Sequence, residues 1–150
     1  MSASSFLSLR GRLLLLAVLG FGCNSAQPTG DRQPTVSAAG ELTYQGQPLP
    51  HHQVLLTPPT PQRPAAGTTD ENGKFTLGTN GPGDGAVVGT HQVSVVYVGP
   101  PGSGGDGMND FSAPPPPKVK IPAKYNRGET SGITIEIPSS GDTALKINLP

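Results

Sequence analysis

Tryptophan is absent from the chain, the aromatic residues amount to three Tyr and four Phe, and there is one cysteine. Each scarcity excludes something. Any core must be built mainly from Val, Ile and Leu, and no broad platform of exposed rings is available to hold the flat faces of sugars. One thiol cannot close an internal disulfide, and the cysteine-rich zinc patterns are out of reach. Charged residues are few and balanced, ten of each sign, so the net charge is zero. Without a basic stripe nothing displaces counterions from a phosphate backbone, and nucleic acid is excluded as a partner. No stretch beyond residue 23 sustains the apolar period of about 3.6 that an amphipathic helix needs. A helical bundle is excluded with it.

What is present begins with a leader. Arg10 and Arg12 precede the apolar run 13–22, and Cys23 follows directly. A positive flank, a short apolar run and a small residue before the break make a secretory signal peptide. The run is shorter than the stretch of about 20 residues that spans a bilayer. Leu19-Gly20-Phe21-Gly22-Cys23 resembles the lipobox of bacterial lipoproteins, with Gly20 where a Leu is more usual. The resemblance implies cleavage before Cys23, acylation of its thiol, and anchoring outside the cytoplasm on the cell membrane or outer membrane. The expected division is a signal-peptide helix over 1–22, a flexible tether over 23–38 and one domain over 39–150. The tether is rich in Ser, Gln, Pro, Thr and Gly and has no periodicity.

The domain reads as short strands. Gly (21) and Pro (18) are numerous, yet they punctuate apolar alternations instead of filling long tracts. Alternation predicts strands over 40–45, 53–57, 65–69, 75–77, 90–98, 133–137 and 145–149. The strand over 90–98 is the longest and is expected to lie centrally, buried on both faces. Asn72-Gly73, beside Asp70, predicts a two-residue hairpin turn with two positive φ angles. A second hairpin is expected at 139–142. The segment 78–89 reads as loop, and 99–117 reads as a projecting insert whose large apolar groups, Met108 and Phe111, are candidate anchors for a partner. The sum is an all-β fold, an antiparallel sandwich of about seven strands.

Chemistry is harder to find. His51 and His52 are adjacent and, on a strand, would face opposite ways, so a turn-exposed pair is expected. No Cys or carboxylate stands near them at ligand spacing, and Asp70, Glu71 and Asn72 lack the twelve-residue spread of an EF-hand, so no metal and no cofactor are expected. His91 reads as a hydrogen-bonded structural histidine. Gly102-Ser103-Gly104-Gly105-Asp106-Gly107 fits the dinucleotide pattern formally, but it opens no helix. No nucleophile elbow is present. No catalytic residue is assigned.

Gly46-Gln47-Pro48-Leu49, Val54, Thr69-Asp70-Glu71-Asn72-Gly73-Lys74-Phe75, Gly89-Thr90-His91-Gln92-Val93 and Ile121-Pro122-Ala123-Lys124-Tyr125 follow in that order. With the Ile-rich strands at the end, they resemble the carboxypeptidase-regulatory-like domains, transthyretin-like sandwiches, and their bacterial lipoprotein branch. The resemblance implies a non-catalytic module attached to a secreted or surface protein. For this chain a structural or binding module of the cell envelope is expected, with an envelope protein or a polysaccharide as the expected partner. The alternatives are a small transthyretin-like hydrolase and a carbohydrate-binding module. Against the hydrolase stands the C-terminal Lys146-Ile147-Asn148-Leu149-Pro150, which lacks the Tyr-rich tail of such enzymes.

Overall fold

Alternating apolar residues need a second layer to be buried against, and the described residues supply one by folding eight strands into two sheets. The computed structural model describes residues 32–103 and 113–150. The signal peptide, Cys23, Met108 and Phe111 lie outside the described residues.

In the first sheet β1 (Ala38–Tyr44) is central. β2 (Gln47–Pro48) and β5 (Lys74–Thr76) pair with it antiparallel along one edge, and β8 (Asp142–Leu149) runs parallel to it along the other. The second sheet runs β4 (Ala65–Thr68), β3 (His52–Thr57), β6 (Gly89–Tyr97), β7 (Thr134–Ile137), all antiparallel. Leu42, Ile147 and Leu149 from the first sheet and Val54, Leu56, Val93, Val95 and Ile137 from the second are fully or almost fully buried between them. Among the described residues no helix is long and apolar enough to cross a membrane.

The all-β sandwich agrees with the alternation; its wholly antiparallel character does not. β7 belongs to one sheet and β8 to the other, so the link between them is a corner and not a hairpin. Gly141, at φ 75°, donates to Pro138 O at 2.9 Å, and Asp142 N is tied to Ser37 O at 2.9 Å. The chain therefore enters the first sheet at the start of β1 and runs alongside it. Period-two alternation reads the same in a hairpin and in a corner, which is why the sequence misses the difference.

The turn around Asn72-Gly73 is corrected for the same reason. β4 and β5 lie in different sheets, and only Gly73 has positive φ, 75°. Gly73 N donates to Asp70 O at 3.0 Å, Asp70 N donates to Lys74 O at 2.8 Å, and Asp70 Oδ1 accepts from Asn72 N and Lys74 N at 2.8 and 2.9 Å. This is a carboxylate-capped turn closed by one left-handed glycine. The pair of positive φ angles falls instead at Gln45 (49°) and Gly46 (80°), between the paired Tyr44 and Gln47.

β6 is the longest strand and sits inside its sheet, as expected, but it is buried mainly on one face. Val93 and Val95 are fully covered whereas Val96 is 39 % exposed. A 3-10 turn (Ala123–Asn126) and α1 (Gly128–Ser131) pack against β6, and both are too short to show a helical period in the sequence. They bring Tyr125 into the core, where its hydroxyl donates to Pro150 O at 2.8 Å. The last part of the expected tether is bonded to the body. Gln33 N donates to Asn80 Oδ1 at 3.0 Å, and Val36 bridges Ala86.

Candidate functional site

The turn before β3 is built by strain and by a clamp. His51 adopts φ 58°, a left-handed conformation uncommon for a side chain of this size. Its N–H donates to Thr69 O at 3.1 Å, and its carbonyl accepts from Val98 N at 3.0 Å, so the backbone is held from both sides. Thr69 is buried; its hydroxyl donates to Leu49 O at 2.6 Å and accepts from His52 N at 2.9 Å. The left-handed residue breaks the alternation that would have put His51 and His52 on opposite faces. Both line one pocket.

The expectation of a turn-exposed pair is therefore corrected: His52 is 2 % exposed, and the His51 side chain 14 %. His52 Nδ1 lies 2.7 Å from Pro50 O, and a carbonyl only accepts, so Nδ1 carries the proton. Burial holds the ring's pKa below its ordinary value, against a smaller upward pull from the Pro50 carbonyl and with a smaller push from His51. The neutral ring then presents an Nε2 lone pair. That atom is buried and has no partner. The ring stands edge-on to Tyr97, centroids 5.2 Å apart at 64°.

His51 Nε2 lies 3.1 Å from Glu71 Oε1, which reaches in from the capped turn. Tyr97 OH donates to Pro115 O at 2.8 Å and so ties the far end of the 99–117 segment to β6. Pro100, Pro116, Lys118 and Val119 complete the wall around about 260 Å³. Among the described residues no Ser, Thr or Cys lines this space. The arrangement can therefore accept hydrogen bonds and orient a base.

A larger depression, about 390 Å³, lies across β1, β5 and β8 and includes Glu41, Lys74 and Lys146. Its one ion pair, Lys146 with Glu41 at 3.9 Å, is solvent-exposed and contributes little. We read it as a solvated sheet face. Among the described residues no three His, Cys, Asp or Glu side chains stand where they could share a metal ion. His91 is buried with its Nε2 2.8 Å from Val87 O, the structural histidine expected.

Asp70, Asn72 and Gly73 shape the turn that carries Glu71, and Thr69 clamps the histidine turn to it. The sequence motif therefore builds one wall of the pocket, a role that reading it as a hairpin did not reveal. The one signal in the sequence was two of the three histidines standing together beside prolines. No family model matches the chain, and no characterised protein or solved structure matches it.

Proposed function

We propose that this protein is a lipid-anchored, extracytoplasmic lipoprotein whose β-sandwich, of the transthyretin-like or immunoglobulin-like kind, is a non-catalytic binding module of the cell envelope. The observation that carries the binding reading is the recessed pocket at His51, His52 and Tyr97, walled by prolines and edged by Glu71 and Lys118. Rigid strands and the Thr69 clamp preform it, and preformed concave sites are where small ligands bind. The anchoring reading rests on the apolar run ending at Cys23.

Fractionation tests the anchor. Cys23→Ala is expected to leave the membrane fraction or to accumulate as uncleaved precursor, because stable anchoring takes more than one acyl chain. A wild-type protein that is wholly soluble with a free thiol removes the anchor. A second reading, a small hydrolase, is favoured by the His51–Glu71 pair, in which the carboxylate orients an imidazole. Turnover of ester, amide or glycoside substrates by the wild type, lost in Glu71→Gln, would replace the module with an enzyme.

A further inference from the structure

The pocket at His51, His52 and Tyr97 is unusual in what its wall offers. Pro50, Pro100, Pro115 and Pro116 contribute four of its lining residues, and proline has no backbone N–H. The wall is therefore poor in donors and rich in acceptors. Pro50 O and Pro115 O accept one hydrogen bond each and retain a second lone pair. Glu71 adds a carboxylate. Lys118, exposed at the rim, is the one Lys or Arg among the described residues that line it.

A complementary ligand must bring several donors. Charge narrows it further. Glu71 and Lys118 offset one another, so these two groups give the wall no net attraction for a ligand charge of either sign. The faces of Tyr97 and the proline rings, with Val119, suit an apolar flank. The volume, about 260 Å³, falls just below the roughly 300–1,000 Å³ of sites for drug-sized molecules. Donor-rich, uncharged, apolar on one flank and about one ring in size describes a sugar.

We propose that this pocket binds one neutral sugar residue, with Glu71 accepting from its hydroxyls, Lys118 donating to its oxygens and Tyr97 and the prolines packing on its flank. The proposal rests on the binding-module reading and specifies its ligand. It differs from the exposed aromatic platform that the composition excludes, because here one Tyr works inside a recess.

The full chain in detergent carries three histidines, two in the pocket and His91 outside it, so imidazole resonances supply probe and internal control together. Glucose, galactose and N-acetylglucosamine, titrated through about 1 mM and above, are expected to shift the His51 and His52 signals and to leave His91 unmoved. Glucosamine and glucuronate are expected to bind at least threefold more weakly than their neutral parents. Glu71→Gln, an exposed position, should weaken binding about tenfold, and Lys118→Ala less; Lys146→Ala on the sheet face should change nothing. Comparing N-acetylglucosamine with its tetrasaccharide separates a free sugar from a glycan end, since only the latter gains affinity with length. No shift with any neutral sugar, a preference for a charged one, or indifference to Glu71→Gln overturns the sugar proposal. Those results leave the module reading standing, which fails instead if the wild type turns over substrate.

Discussion

At Gly73 two demands meet in one residue. Its φ of 75° favours glycine, and a Cβ placed there would come 2.7 Å from Leu42 O, backbone that cannot move aside. Gly73→Val is expected to lower stability by at least the roughly 1–3 kcal/mol of such strain. A urea midpoint unchanged from wild type would show that the turn relaxes freely. His52 makes a second prediction, from its depressed pKa. The unfolded chain binds a proton near pH 6.5 and the folded ring binds it only lower, so stability is full above about pH 6.5 and falls as pH drops through the folded pKa. The melting temperature should decline more steeply below that pH in wild type than in His52→Phe, which has no ring to protonate. Equal slopes in the two proteins would mean that His52 is solvated. Asp70 works in the same direction but in a more acidic range. Backbone donation from Lys74, then Asn72, holds its carboxyl below the usual value, and its support is lost only below about pH 3.8.

Among the elements β8 matters most, because the sheet-crossing corner before it decides the topology. It places Leu145, Ile147 and Leu149 in the core and covers the whole of one edge of β1. Ile147→Ala is expected to cost about 2–5 kcal/mol, a large share of the roughly 5–15 kcal/mol a domain has. The parallel pairing itself can be tested by cross-linking. Thr43 and Asn148 are register partners with side chains 3.2 Å apart. Thr43→Cys with Asn148→Cys should oxidise to an intramolecular disulfide, while Thr134→Cys with Asn148→Cys should not. The reverse outcome would restore the hairpin between β7 and β8.

For the whole molecule, the question is how much of 99–117 the body needs. Pro115 is tied to Tyr97, and Pro100, Pro115 and Pro116 wall the pocket, so the ends of this segment belong to the scaffold. Replacing only 104–112 with a short Gly-Ser linker is expected to keep cooperative unfolding, since loop length costs only about 0.6 kcal/mol per doubling. Extending the replacement through 113–117 should open the pocket and shift the His52 resonance. If Met108 and Phe111 anchor a macromolecular partner, the shorter replacement abolishes its capture and spares sugar binding. A shorter replacement that unfolds the protein would show that the segment is part of the core.

Which residues face inward was written in the sequence. Val93 and Val95, Ile147 and Leu149 alternate with polar neighbours, and a period of two allows them little besides strands with one buried face. The sparse, balanced charge and the short apolar run before Cys23 are equally local facts. Alternation, however, says in or out and does not say beside whom. β1 with β8, or β4 and β5 in separate sheets, follow from backbone pairing between segments far apart in the chain. The same holds for the pocket. Adjacent histidines on a strand would diverge; only the left-handed backbone at His51, held by Thr69 and Val98, turns both to one side and brings Glu71 to 3.1 Å. A φ angle forced by contacts from other elements is not encoded by its own residue, so the site became visible only when the sheets had closed around it.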